Sequence, residues 1–128
     1  MSKILVADDS RVQVTLFRKA LLEDGFEVVA AQDALQAGML ALREAPDAII
    51  LDINMPGGSG IEVLKRLKRS SKTEHIPVVV VSGNQDPNVR QVVHELGVEE
   101  FLAKPVDLSQ LRKTLLQLFP AQNIPRPS

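Results

Sequence analysis

Residues 48–56 read AIILDINMP. The first four form an unbroken apolar run, and Ile49 and Ile50 are β-branched, which suits a strand buried on both faces. Asp52 stands where that strand would end. Working outward, similar short runs occupy 3–7, 27–31, 77–81 and 100–103. Longer stretches with helical spacing lie between them. Stretch 11–24 repeats Val14, Phe17 and Leu21, with Ser10 as a cap and Gly25 as a stop, and 33–44 repeats Ala34, Ala37, Leu40 and Ala41. Stretch 60–69 repeats Val63, Leu64 and Leu67, and 108–119 repeats Leu111, Leu115 and Leu118. In 87–96, Val89, Val92, Val93 and Leu96 precede Gly97, and that valine stripe is expected in the core. Five strands alternating with five helices call for right-handed crossovers. The compact solution is an α/β fold, a doubly wound five-stranded parallel sheet with helices on both faces.

The chain has 128 residues, 45% hydrophobic and 24% charged, which excludes disorder and predicts one compact domain burying about two-thirds of its surface. Four Phe with no Trp or Tyr make the core aliphatic and argue against base stacking on nucleic acid. A formal charge of −1 supplies no global field toward a polyanion. Absence of cysteine excludes disulfides and thiolate chemistry. Acidic Asp8 and Asp9 interrupt the opening apolar run where a leader would continue it, and no apolar run is long enough for a bilayer. A cytoplasmic protein without membrane contact is expected. The tail has three prolines in 120–128 and reads as a linker or disordered tail beyond a domain spanning 1–119.

Ligands of doubly wound sheets bind at the carboxyl ends of the strands. There the sequence places Asp8 and Asp9 after the first strand, Asp52 after the third, Ser82 after the fourth, and Lys104-Pro105 after the fifth. Two unit charges 4 Å apart repel by about 4 kcal/mol at an effective dielectric near 20, so three carboxylates in one crevice call for a cation. By the same argument, Asp52→Asn is expected to raise the melting temperature in Mg²⁺-free buffer. An all-oxygen ligand set favours Mg²⁺, and His75 and His94 lie away from these ends, which argues against Zn²⁺. A carboxylate nucleophile at Asp52, an Mg²⁺ platform at Asp8 and Asp9, an ammonium at Lys104 and a hydroxyl at Ser82 together suit phosphoryl handling.

In these residues the chain resembles the receiver domain of two-component response regulators, and chemotaxis regulators in particular. The resemblance covers about 3–119 and rests on the Asp8-Asp9 pair, the run 51–56 (LDINMP), Ser82 and Lys104-Pro105 in order and at matching spacing. It implies a flavodoxin-like strand order 2-1-3-4-5. It also implies that Asp52 accepts a phosphoryl group from a sensor histidine kinase, a phosphotransfer protein or a small acyl phosphate. Mg²⁺ would be bound directly by Asp9 and Asp52, by the backbone carbonyl of Asn54, and by Asp8 through water. Lys104 would pair with the phosphoryl group, Ser82 would move to hydrogen-bond it, and Phe101 matches the aromatic switch position. The bond before Pro105 is expected to be cis. A downstream protein would read the surface of the fourth helix, fifth strand and fifth helix, for which Arg90, Gln91, Glu95, Arg112 and Lys113 are candidates. Phosphorylation-dependent dimerisation is left open.

The chain also departs from the family pattern. Residues 57–60 (GGSG) predict a mobile loop with Ser59 as a helix cap, Gly83 replaces a frequent Ala and widens access to the site, and Phe101 lacks a tyrosine hydroxyl. An Mg²⁺-dependent phosphohydrolase needs an acid two residues past the nucleophile, where this chain has Asn54. A flavin or nucleotide binder would present glycines and amides where Asp8 and Asp9 repel phosphate. A pseudo-receiver acting only as an interaction module would not need the full set of residues present here. The expectation is therefore a switch, not an enzyme beyond self-directed phosphoryl transfer. Lys65, Arg66, Lys68 and Arg69 read as a solvated helix face with the option of a partner surface.

Overall fold

The computed structural model describes residues 2–55, 60–83 and 86–120. Five strands and five helices alternate: β1 (Lys3–Ala7), α1 (Arg11–Glu23), β2 (Glu27–Ala31), α2 (Ala34–Glu44), β3 (Ala48–Asp52), α3 (Gly60–Arg69), β4 (Val78–Ser82), α4 (Pro87–Glu95), β5 (Glu100–Ala103) and α5 (Leu108–Leu118). All strand pairs are parallel, in the order β2-β1-β3-β4-β5. β2 and β5 are therefore the open edges. The doubly wound sheet and its order agree with expectation, and element ends differ by a residue or two. The loop 56–59, including the Ser59 cap, and the tail 121–128 lie outside the described residues.

The chain starts its helices with short polar side chains. Ser10, Asp33, Asp86 and Asp107 accept hydrogen bonds from the backbone N–H of Gln13, Gln36, Asn88 and Ser109, satisfying donors that a helix start leaves orphaned. Gly25 and Gly97 leave α1 and α4 with positive φ. α2 instead closes on Ala45 at φ 46°, a left-handed position that disfavours a side chain bearing Cβ.

Every residue of β3 and β4 is buried, as continuous apolar runs require. The two sheet faces carry separate cores. Val14, Phe17 and Leu21 of α1 join Leu111 and Leu115 of α5 on one face. Ala37 and Leu40 of α2, Val63, Leu64 and Leu67 of α3, and Val93 of α4 cover the other. Each fully buried Val, Leu, Ile or Phe contributes about 1.5–3 kcal/mol. The valine stripe of α4 needs correction. Val93 is buried and Val89 packs at the margin, but Val92 is 38% exposed. α4 turns one narrow row of side chains to the sheet, and Val92 lies outside it. Leu118, expected in the α5 core, is half-buried against it.

Candidate functional site

Parallel pairing brings the strand ends level, since Ala7 pairs with Leu51, Asp52 with Val81, and Ser82 with Ala103. The residues just beyond converge on one crevice. Asp8 continues the β1 ladder, its N–H donating to the Ala31 carbonyl at 3.0 Å, and its side chain is buried. The chain then turns, and Asp9 is exposed. Asp52 and Ser82 are buried at the ends of the two strands nearest the sheet centre on that side. Lys104 follows β5, its N–H held by the Ser82 carbonyl at 2.9 Å, and the Lys104–Pro105 bond is cis.

Lys104 spans the crevice. Its Nζ donates to Asp52 Oδ2 at 2.9 Å and lies 3.2 Å from Asp8 Oδ2. The second contact is ionic without hydrogen-bond alignment, so Asp8 Oδ2 is buried and has no hydrogen-bond donor. Asp8 Oδ1 accepts from the Ser10 N–H at 2.9 Å. Asp52 Oδ1 accepts from the Asn54 N–H, also at 2.9 Å.

Two groups of the crevice shift in their titration. Burial pushes the Asp8 carboxyl upward, the Asp52 charge adds to the rise, and the Ser10 N–H and the Lys104 charge only partly oppose it. Burial alone would lower Lys104, but its hydrogen bond to Asp52 and the Asp52 and Asp8 charges outweigh that, and the ammonium is held above its ordinary range. Of the two buried carboxylates, Asp8 is thus the less compensated by this chain.

Carboxylate oxygens of Asp8, Asp9 and Asp52 lie within 4.8 Å of one another. Together with the donor-free oxygen of Asp8, this hard all-oxygen set fits a divalent cation such as Mg²⁺. The arrangement puts a buried carboxylate, an ammonium and a cation-suited cluster at one point, which is the equipment for accepting a phosphoryl group.

The structure thus groups Asp8, Asp9, Asp52 and Lys104, with Asn54 and Ser82 adjoining. What the sequence does not reveal is the contact that the Asn54 side chain makes. Its Nδ2 donates to Ser82 Oγ at 3.3 Å while its backbone N–H holds Asp52, so one residue links the buried carboxylate and the hydroxyl. Phe101 stands apart on β5, half-buried, with the Arg90 guanidinium 5.0 Å from its ring centroid. Of the surface candidates, Arg112 is committed elsewhere. Its Nε and Nη2 each donate to Asp24 at 2.7 Å, clamping α5 to the end of α1, and the carboxylate raises its guanidinium pKa further. Gln91 donates to Glu95 at 3.0 Å on α4. His75 and His94 are exposed.

Comparison with known proteins agrees with this geometry. Residues 4–116 match the family model of the response regulator receiver domain. Response regulator PleD of Caulobacter vibrioides is 39% identical over 106 residues, 83% of this chain but 23% of PleD, so the chain spans about a quarter of that relative. The chemotaxis response regulator CheY4 of Vibrio cholerae superposes with a TM-score of 0.85 at 30% identity, covering 93% of this chain and 99% of CheY4. The receiver domain of the sensor histidine kinase PA1611 from Pseudomonas aeruginosa superposes with a TM-score of 0.82 at 25% identity, covering 91% of this chain and 96% of that one. It was solved with a magnesium ion coordinated in its active-site cleft.

Proposed function

Because the chain belongs to the response regulator receiver family of two-component signalling, we propose that it is a phosphorylation switch whose acceptor is Asp52. The observation that carries this is the position of Asp52, buried at the end of β3 with one oxygen on the Asn54 N–H and the other on Lys104. In the transfer, an Asp52 carboxylate oxygen attacks phosphorus. The new P–O bond forms as the P–N bond of a kinase or phosphotransfer-protein phosphohistidine breaks, or the P–O bond of an acyl phosphate. The leaving group departs with the bonding pair. Lys104 follows the developing charge, since its ammonium already faces Asp52, and Ser82 donates to the transferred group after leaving the Asn54 amide.

Asp8, Asp9, Asp52 and the Asn54 carbonyl would hold Mg²⁺. When bound, the ion neutralises charge on the phosphoryl oxygens. Asn54, with no carboxyl to activate water, fits a protein that keeps its phosphoryl group rather than a multiple-turnover phosphohydrolase.

Output would run through the α4, β5 and α5 surface, with repacking of Phe101 as the link. Arg90 over the Phe101 ring gives that repacking a direct route to the surface. The sensor kinase, the downstream protein and phosphorylation-dependent dimerisation belong to this proposal. So do a cytoplasmic location and the division into a receiver of 1–119 and a linker or tail of 120–128. Among the described residues no helix is long and apolar enough to cross a membrane.

Intact-mass spectrometry after incubation with a small acyl phosphate tests the reading. One phosphoryl group is expected on the native chain with Mg²⁺, and none on Asp52→Asn or without Mg²⁺. Uptake by Asp52→Asn equal to the native chain would overturn it. Lys104→Ala should still take up the group but no longer change partner binding.

A further inference from the structure

α2 is apolar on two sides. Ala34, Ala37, Leu40 and Ala41 face the sheet, while Leu35, Met39 and Leu42 are 66%, 57% and 54% exposed. Spaced four and three apart, these last three form an outer stripe that the fold leaves uncovered. They border a groove between α2 and α3 of about 290 Å³, walled on the α3 side by Leu67 and Arg66.

Gly38 lies on the groove wall in the middle of α2. A methyl added there would meet nothing within 4 Å, so neither packing nor backbone conformation requires glycine. A glycine inside a helix costs roughly 0.5–1 kcal/mol relative to alanine. What Gly38 does provide is depth.

Charge on the α3 side is one-signed. Residues 60–72 carry five basic side chains and one acidic one, in a chain of formal charge −1. The acid, Glu62, is paired with Lys65 at 3.5 Å. Arg66 and Arg69 are exposed one turn apart.

We propose that the α2–α3 groove docks an amphipathic helix of a protein partner, with leucine-like side chains seated along Leu35, Met39 and Leu42 and carboxylates on its flank against Arg66 and Arg69. The observations favour this occupant over others. A second copy of this chain docked through the same face would set one basic α3 against another. A bilayer would meet the outer stripe but leave the recess beside it unfilled, with Arg66 on its wall. The cavity falls just short of the usual small-molecule range and brings few polar groups together. The surface is distinct from the α4, β5 and α5 face, and the inference stands whether or not Asp52 accepts phosphate.

The test uses the whole chain, without phosphoryl donor, and two synthetic helical peptides. Both carry leucines at three–four spacing and one tryptophan. One has glutamates on its flanks and the other lysines. The chain has no tryptophan, so peptide emission reports binding alone. The Met39 methyl NMR signal reports the groove, and that of buried Met55 reports the fold. The acidic peptide should shift Met39 but not Met55, and bind at least tenfold tighter than the basic one. Gly38→Leu, which fills the groove, and Arg66→Glu, which reverses its rim, should each weaken the acidic peptide at least tenfold with Met55 unchanged. The proposal is overturned if neither peptide binds, if both bind equally, or if both variants bind as the native chain does. It is likewise overturned if phosphatidylserine vesicles shift Met39 more than the acidic peptide does, or if Met39 shifts with protein concentration alone.

Discussion

A methyl added at Gly60 would come within 2.3 Å of the Ile53 Cα and 2.7 Å of its carbonyl oxygen, whereas one at Gly38 would meet no atom within 4 Å. Both glycines sit in helices on the same face of the sheet. At Gly60 the close approach lets the N–H reach the Ile53 carbonyl at 3.2 Å and sets the start of α3 directly behind the Asp52–Asn54 turn. The crevice is positioned by the lack of any room to move. The α2–α3 groove is defined by room that the backbone does not need. The same residue type thus fixes geometry in one place and leaves space in another, and only the surroundings distinguish the two.

The largest test of that contrast is Gly60→Ala. Forcing Cβ into backbone should cost about 3 kcal/mol, read by denaturant unfolding. A cost below about 1 kcal/mol would mean that the start of α3 gives way freely and does not hold the crevice.

Second is Asp8→Asn, which probes the crevice by charge rather than by volume. Charge crowding read from the sequence alone points to Asp52 as the residue whose neutralisation stabilises. The structure redirects that to Asp8, because Asp52 has both the Asn54 N–H and Lys104 while Asp8 Oδ2 lacks a donor. A carboxyl raised in the folded state favours folding when protonated. Its contribution is therefore fullest below 3.8 and is lost as pH climbs through the raised folded value. Asp8→Asn should raise stability at neutral pH in metal-free buffer by about 1 kcal/mol and flatten that acid-side decline. Thermal melts at several pH values, with and without Mg²⁺, check this, and the advantage should shrink once Mg²⁺ is added.

Third, Gly38→Ala should stabilise by about 1 kcal/mol, the difference in helix propensity. A loss would reveal a contact at that wall that the empty space does not show. Smallest is Ala45→Gly, where α2 ends left-handed on a residue with Cβ. Relief of that backbone, set against the greater freedom of unfolded glycine, should leave a gain of about 0.5 kcal/mol. If both hold, α2 carries its glycine where stability does not want it and lacks one where stability does.

The architecture was legible because buried parallel strands leave unbroken apolar runs such as 48–51, and because the helices between them keep their spacing. The crevice was legible because ligand-bearing side chains in this topology immediately follow strand ends. What sequence did not give depends on distance along the chain or on which way a side chain turns. The Arg112–Asp24 clamp joins residues 88 apart and leaves no local trace. Adjacent Asp8 and Asp9 look alike in sequence, yet one is buried and the other exposed. Val92 looked like core because helical spacing cannot say how wide a strip the sheet will cover. The outer stripe of α2 had a signal, since a helix apolar on two sides has more than one surface to satisfy.

The sheet order has one more consequence, for the protein at high concentration. Open edges invite strands of neighbouring molecules to pair, and both edges here begin with acid: Glu27 on β2, and Glu100 on β5 directly after Glu99. β5 is also only four residues long, with Glu100 exposed. Two copies pairing in parallel along β5 would bring these carboxylates together, and pairing in either direction gains only a short ladder of backbone bonds. The sheet therefore resists growing past five strands, and acid at its edges guards against aggregation.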